Sequence, residues 1–194
     1  MTSSTVPGYE IRPLTPEEFR VHWKKHSAAI FDDAQIIFRP FDWASEEERV
    51  KARELDKLMG TPLKIYLGAF RGEEFAGWSW GFQESAGTFY MCNSAVLPEH
   101  RRQGLYTALL NEMLRRALGA GFQKIYSRHT ATNNAVIIPK LKAGFHLTHF
   151  ELSDNFGVLV HLSYFPSALR RKILEFRAGD LRPDAEMKKA LGLT

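Results

Sequence analysis

The segment between residues 88 and 129 constrains the fold of this chain most, because it predicts a strand, a loop, a helix and a second strand. β-Branched and aromatic residues are frequent in 88–97 and 122–129, whereas apolar side chains recur at helical spacing in 102–118. A strand, a helix and a strand in this order form a right-handed crossover whose two strands run parallel. The sequence therefore predicts one parallel strand pair with an amphipathic helix packed on the sheet.

The loop of this unit, within LPEHRRQGLYTALL, places His100, Arg101, Arg102 and Gln103 directly before Gly104 and the helix. Cations are unfavourable at a helix N-terminus, where the dipole is positive, unless an anion lies among them. A bound phosphate would explain them, because the first helical amides lack partners and the glycine lets a ligand approach the backbone. The alternative is a solvated loop whose arginines contact only water. Neither the P-loop pattern nor GxGxxG occurs in the sequence, so the two commonest nucleotide motifs do not supply the phosphate site.

The rest of the chain predicts helices at both ends and strands between them. A capping threonine, Thr15, opens a first helix, and Ser45 opens a charged second helix that ends at Gly60. The stretches LKIYLGAF, EFAGWSWGFQ and GTFYMCNSAVL predict an antiparallel meander; NNAVIIPKLKAG predicts a short helix, and FHLTHFEL and FGVLVHLSYF a final strand pair. We expect one domain over residues 1–194, with a helical segment (1–61), a sheet core (62–165) and a C-terminal helix with a polar tail (166–194).

Composition and charge exclude several classes of protein. The single cysteine, Cys92, allows no internal disulfide, and the N-terminus lacks the basic start and apolar run of a signal peptide, so we expect a cytoplasmic protein. No apolar run approaches the roughly 18 residues of a membrane span, and we expect no membrane partner. A net charge of +4 suits a small anionic ligand but is too small for a dedicated nucleic-acid binder.

The central segment resembles the acetyl-CoA-binding core of the GNAT superfamily of N-acetyltransferases. Val96-Leu97-Pro98 matches the family's Val-x-Pro, and Arg101, Gly104 and Tyr106 occupy the motif that opens the following helix. Asn133 and the pair Gly144-Phe145 match further family positions, so that the resemblance covers about 60 residues. It implies a mixed α/β (α+β) fold with a central, mostly antiparallel sheet flanked by helices.

The resemblance also implies a co-substrate and the residues that bind it. Acetyl-CoA would lie with its pantetheine arm along the end of the strand, its pyrophosphate on the loop amides, and its thiol near the asparagine; no metal is implied. The cofactor-binding residues are Val96, Leu97, Arg101, Arg102, Gln103, Gly104, Leu105, Tyr106, Thr107 and Asn133. A backbone N–H would polarise the thioester carbonyl, and an amine would attack it directly, without an acyl-enzyme. A longer acyl-CoA remains open as the donor.

Two departures from the family pattern affect the site. Tyr106 stands where Gly or Ala is usual, and Lys140 stands where many members carry a tyrosine that protonates the CoA thiolate. A lysine could serve as that acid, but an ordinary lysine pKa near 10 predicts solvent exposure instead. Glu84, Glu99 and His129 are candidate bases for the amine, although each also fits a solvated loop residue.

Other chemically notable residues have simpler interpretations. We expect His146, His149 and His161 to be ordinary strand residues rather than metal ligands, and Cys92 to be a packed thiol rather than a nucleophile. Phe75, Trp78, Trp80 and Phe82 could line an acceptor pocket but fit mostly core positions. Tyr90, Asn93 and Ser94 lie on the strand that leads into the site, and alternation turns only one face of it toward a substrate.

The resemblance therefore implies acetyl transfer from acetyl-CoA to a primary amine of a small molecule or a peptide. A non-catalytic acyl-CoA-binding or sensor module is the main alternative, and a nucleic-acid-binding protein is a more remote one. A homodimer is compatible with the sequence, and the acceptor carries no motif that identifies it.

Overall fold

A computed structural model describes residues 6–31 and 40–193, which form one seven-stranded sheet with helices on both faces. The strands are β1 (Glu10–Pro13), β2 (Lys64–Arg71), β3 (Glu74–Ser85), β4 (Thr88–Val96), β5 (Lys124–Thr130), β6 (His146–Ser153) and β7 (Gly157–Tyr164). The helices are α1 (Pro16–Ile30), α2 (Pro40–Trp43), α3 (Glu46–Leu58), α4 (Leu105–Gly119), α5 (Asn134–Lys142), α6 (Ala168–Ala178) and α7 (Ala185–Leu191). None of the helices in the described ranges is long and apolar enough to cross a membrane.

The predicted caps form, and they set where the N-terminal helices begin. Thr15 Oγ1 accepts from the Glu18 amide at 3.1 Å, and a Glu18 carboxylate oxygen accepts from the Thr15 amide at 2.8 Å. Ser45 and Glu48 form the same reciprocal pair at the start of α3. Each capping box satisfies amides that the helix itself leaves unpaired.

The start of α4 and the structure of the polar tail differ from the sequence prediction, and the short helix α2 was not predicted. Helix α4 begins at Leu105 rather than at Arg102, because Arg102 (φ 61°) and Gly104 (φ 81°) take left-handed conformations that a right-handed helix excludes. The polar tail contains a further helix, α7, which the sequence analysis missed. Asp184 caps α7 by accepting from the Met187 amide at 2.9 Å, and Met187 anchors it as a buried side chain.

The sheet order is β1-β2-β3-β4-β5-β7-β6, and every neighbouring pair is antiparallel except β4 and β5. The predicted parallel pair and the predicted mixed, mostly antiparallel fold are thus confirmed. The apolar stripe of α4 packs on one face of the sheet, as its periodicity indicated. On the other face α1 covers a second apolar cluster, where Phe75 and Trp78 are buried, while Trp80 and Phe82 are half-buried.

The parallel strands pair over three residues and then part. β4 and β5 are in register at Thr88–Lys124, Phe89–Ile125 and Tyr90–Tyr126. Beyond Tyr90, β4 keeps only its pairing with β3, and β5 keeps only its pairing with β7. A β-bulge accompanies the parting: Trp80 pairs with Asn93 and Gly81 with Met91, so that Cys92 is an extra residue in β4. Bulges bend the strand that carries them. We refer to the space between the parted strands as the splay.

Gly81 lies opposite this bulge at a position that admits no side chain. A Cβ atom there would be 2.4 Å from the Tyr90 carbonyl oxygen and 2.6 Å from the Phe89 ring. The backbones of β3 and β4 therefore approach each other closely just before β4 leaves β5.

We expect Gly81→Ala to lower the free energy of unfolding by about 1–3 kcal/mol, as overpacking of a dense site does. Gly119→Ala is the matched control, since a Cβ there meets no atom within 4 Å and alanine favours a helix. Urea denaturation of the two variants measures the difference. Equal stability of the two variants would contradict the close approach at the bulge.

Candidate active site

The loop after β4 presents helix amides to open space. Gly104 is the N-cap of α4 and has no side chain to satisfy the amides of Leu105, Tyr106 and Thr107, which have no partner within the helix. A Cβ at Gly104 would meet no atom within 4 Å. Together with the positive end of the helix dipole, these groups form a cradle that fits an anion such as a diphosphate.

The two arginines of the loop have different roles in its structure. Arg101, exposed overall, donates from Nε to the carbonyl oxygen of Val96 at 3.1 Å, which holds it against the end of β4. Arg102 is exposed and carries the left-handed backbone that turns the loop into the helix. Both residues directly precede the N-terminus of α4, so that a phosphate bound there could be contacted by either cation.

A network from the N-terminal part of the chain fixes this loop from behind. The hydroxyl of Tyr9 lies 2.9 Å from Nδ1 of the buried His100 and 3.1 Å from the side-chain oxygen of Gln103. Arg71 donates to the same Gln103 oxygen at 3.1 Å and also to the Tyr9 hydroxyl. The side chain of Gln103 therefore binds to β2 and to the segment before β1. Only the backbone amide of Gln103 can then contribute to the cradle.

Sequence reasoning missed Tyr9 and Arg71. Their contacts with Gln103 span 94 and 32 residues of sequence, and no local motif marks such a pairing. Only the placement of β1 beside β2 brings them to the loop.

Lys140 is buried, and our expectation of a solvent-exposed lysine is wrong. Its side chain is 2% exposed, and Nζ donates to Ser127 Oγ at 2.7 Å and lies 3.6 Å from Met91 Sδ. The ammonium also lies 4.8 Å from the centre of the Phe145 ring. Burial lowers the pKa of Lys140 to about 7. The expectation failed because it assumed an ordinary pKa, whereas α5 points this residue at the splay.

His129 belongs to the same cluster. Its Nε2 lies 2.8 Å from Ser127 Oγ, so that one serine hydroxyl joins the histidine and the lysine. Burial, and secondarily the charge of Lys140, lower the pKa of His129 to about 3. At pH 7 the imidazole is neutral and weakly basic, which makes it a poor base for an ammonium. Ser127, the residue that links the pair, carried no signal in the sequence.

Glu84 lies on the opposite face of the sheet. It is exposed and accepts a hydrogen bond from the hydroxyl of Tyr126, whose pKa is raised first by burial and then by this carboxylate. Tyr126 and Ser127 are neighbours in β5 and point to opposite faces. The three predicted catalytic candidates are thus divided, with Lys140 and His129 together and Glu84 apart from them.

The remaining candidates occupy ordinary positions. Burial raises the pKa of Cys92 to about 11, so the thiolate is scarce at pH 7, as expected of a packed thiol. Asn133 is the half-buried N-cap of α5, the helix that carries Lys140. His161 lies 2.6 Å from a Glu151 carboxylate oxygen, and His146 lies 3.5 Å from one of Glu175. In the described ranges, no three His, Cys, Asp or Glu side chains are grouped in a way that could hold a metal ion.

Comparison with known proteins identifies the family. The profile of the acetyltransferase (GNAT) family matches residues 20–145. Among solved structures, YncA of Salmonella typhimurium, determined with its cofactor acetyl-CoA, superposes with a TM-score of 0.60 at 17% identity, over 91% of this chain and 98% of that one. An N-acetyltransferase from Staphylococcus aureus superposes with a TM-score of 0.57 at 16% identity, over 81% of this chain and 98% of the other.

NAA60 of Arabidopsis thaliana, solved with a bisubstrate analogue, gives a TM-score of 0.56 at 17% identity, over 81% of this chain and 97% of that protein. At less than 20% sequence identity, these similarities show that the fold is shared and nothing beyond the fold. A comparison with curated protein sequences gave no significant match. The family profile spans well over half of the sequence, and it includes both the splay and the loop cradle. The chain therefore belongs to the GNAT family of acetyltransferases.

Proposed function

We propose that this acetyltransferase moves the acetyl group of acetyl-CoA to a primary amine by direct attack in a ternary complex. The observation that carries the proposal is the position of Lys140, whose buried Nζ lies between Met91 of β4 and Ser127 of β5 at the splay. The loop cradle follows at the end of the same strand β4. One ligand with an acyl thioester and a diphosphate would suit both places.

The cradle and the free edge of β4 fit acetyl-CoA, which would supply the acetyl group. The amides around Gly104 and the side chains of Arg101 and Arg102 would hold its diphosphate. Beyond Tyr90, β4 pairs with β3 alone, so backbone groups of 91–97 on the side of β5 can bind the pantetheine arm as a further strand would. Asn133, at the start of α5, would lie beside the same arm. The structure of YncA was determined with acetyl-CoA, which supports acetyl-CoA as the co-substrate here.

Lys140 would act as the proton donor of the reaction. The neutral amine forms a bond to the carbonyl carbon while the C–S bond breaks, and the electron pair of that bond leaves with sulfur. The nitrogen releases one of its protons to water as the amide forms, so that Lys140 can afterwards regain its own proton from solvent. The Lys140 ammonium can give its proton to the departing thiolate, and the Ser127 hydroxyl keeps Nζ in place. Because burial brings the pKa of Lys140 to about 7, the residue gives up this proton more readily than an exposed lysine would.

Gly104 offers a test of the cradle. We expect Gly104→Asp to weaken acetyl-CoA binding about tenfold more than Gly104→Asn, because the added carboxylate repels the diphosphate; a tenfold change corresponds to about 1.4 kcal/mol. Asparagine is the matched control, because both residues tolerate the left-handed backbone at this position. Titration calorimetry measures both affinities. Equal weakening by the two substitutions would remove the diphosphate from this loop.

Lys140→Met tests how much the buried ammonium lowers the stability of the protein. We expect this variant to be more stable by roughly 1–4 kcal/mol at pH 7, the range seen when hydrophobic residues replace buried charges. Between about pH 7 and 10, Lys140 is protonated in the unfolded chain but largely neutral in the folded protein. The free energy of unfolding of the wild type therefore rises with pH, and the stability advantage of Lys140→Met becomes smaller. Urea denaturation at pH 7 and pH 10 measures the gain. An equal stability difference between Lys140→Met and the wild type at pH 7 and pH 10 would show that burial does not lower the pKa of Lys140.

The same variant should lose activity despite its stability. We expect kcat to fall about 100-fold in Lys140→Met, as loss of a general acid does. In the wild type, kcat should decline above about pH 7 as Lys140 loses its proton. Lys140→Tyr should restore part of the rate and move this decline to higher pH, because tyrosine titrates near 10. A pH profile of Lys140→Tyr identical to the wild type would show that another group supplies the proton.

A further inference from the structure

The β-bulge of β4 decides which side chains of this strand face the amine substrate. In a regular strand Met91 and Asn93 would point to the same face of the sheet. The extra residue Cys92 reverses this alternation. Met91 accordingly lies beside Lys140, whereas Asn93 bonds Trp78, which belongs to the apolar cluster that α1 covers. The side chain of Asn93 is therefore at the splay on the face opposite Lys140, from which the amine would arrive.

A buried indole fixes the orientation of the Asn93 amide. Trp78 Nε1 donates to Asn93 Oδ1 at 2.9 Å, and the side chain of Trp78 is fully buried. Because an indole N–H can only donate, it selects the oxygen of the amide and leaves the NH2 group for other partners. No described residue accepts a hydrogen bond from Nδ2, and this nitrogen is not enclosed. Asn93 thus presents N–H donors of fixed orientation to solvent or to a ligand.

The cation of β5 on this face of the splay is already balanced. Arg128 donates to the Tyr90 hydroxyl at 3.2 Å, and its Nη1 lies 3.1 and 3.3 Å from the two carboxylate oxygens of Glu151. A carboxylate bound to Asn93 would meet the charge of Glu151 with no free cation on β5 to offset it. An ammonium is unsuitable as well, because the NH2 group of Asn93 can only donate. A neutral oxygen is the group that this amide suits.

A carbonyl oxygen close to the amine would satisfy Asn93 and the reaction together. The attacking nitrogen has to enter the splay, which β4 borders through Met91 and Asn93. In an α-amino amide, two carbon atoms separate the amine from the carbonyl oxygen. An oxygen bound to Asn93 Nδ2 therefore leaves the amine beside β4, and the hydrogen bond orients the nitrogen before it attacks.

We propose that Asn93 binds the amine substrate and that this substrate is an α-amino amide, the group found at the N-terminus of a peptide. Its amine is acetylated at the splay while its carbonyl oxygen accepts from Asn93 Nδ2. This inference depends on the proposed acetyl transfer to amines and adds the class of amine.

Three amines of nearly equal size test the proposal: glycinamide, isobutylamine and glycine, which carry an amide, a hydrocarbon branch and a carboxylate at the same position. Each is assayed with acetyl-CoA by release of the thiol, in the wild type and in Asn93→Leu. Because the amines differ in basicity, the measure is the change in kcat/KM that the substitution causes for each amine. We expect a fall of roughly tenfold for glycinamide, as loss of one hydrogen bond gives, and no change for isobutylamine.

Other results of this assay would contradict the account at different points. An equal fall for glycinamide and isobutylamine would remove Asn93 from substrate binding. A larger fall for glycine than for glycinamide would assign the site to a carboxylate and overturn the proposed class of amine. Release of CoA with none of the amines, by a protein that binds acetyl-CoA, would count against the proposed acetyl transfer itself.

Asn93→Asp repeats the test without removing the partner of Trp78. Its carboxylate can still accept from Trp78 Nε1, but the N–H donors are lost. We expect the ratio of kcat/KM for glycinamide to that for isobutylamine to fall at least as far as in Asn93→Leu, because a carboxylate repels a carbonyl oxygen. Gln123→Glu makes the same change of amide to carboxylate at an exposed position before β5 and should leave the ratio unchanged. A ratio that Asn93→Asp does not lower would overturn the proposal.

Discussion

β4 exchanges hydrogen bonds with β5 only as far as Tyr90, and the rest of the site depends on this early end of the pairing. The extra residue Cys92 bends β4, and Gly81 lets β3 follow it closely, so the sheet continues on one side while it opens on the other. Backbone groups that a sheet would normally satisfy are then available to a ligand. The same opening receives Lys140, whose ammonium finds one hydroxyl, one sulfur and one aromatic ring instead of water. A buried lysine is costly, and such a cost is typical of a functional position.

The sheet separates the two halves of the proposed chemistry. On the α4 side, the loop cradle and the Lys140–Ser127–His129 cluster face the donor and its leaving group. On the α1 side lie the rings of Tyr90 and Tyr126 and the carboxylate of Glu84, and the acceptor would approach from there. The splay is the opening that connects the two faces of the sheet. Such an opening suits a reaction in which two substrates meet without a covalent enzyme intermediate. The Tyr9–His100–Gln103 network adds rigidity to the donor side, because it holds the loop from behind.

The sequence predicted those features that depend on local spacing. The 3.6-residue repeat predicted α4 and its buried stripe, Thr15 and Ser45 predicted two helix starts, and the order of elements predicted the parallel pair. Features that depend on distant partners could not be read in this way. The burial of Lys140 requires Met91 and Ser127, which lie 49 and 13 residues away in the sequence. Helix α7 was missed because it has only seven residues and buries a single side chain, that of Met187, so that it shows no apolar repeat.

The central claim is that the splay and the loop beyond β4 bind one acyl-CoA together, with its thioester beside Lys140. A crystal structure of the protein with acetyl-CoA measures this most directly. The account predicts the diphosphate on the amides around Gly104, the pantetheine arm along β4, and the sulfur within hydrogen-bonding reach of Lys140 Nζ. A coenzyme bound outside the splay, or a sulfur remote from Lys140 with the diphosphate in the cradle, would contradict it.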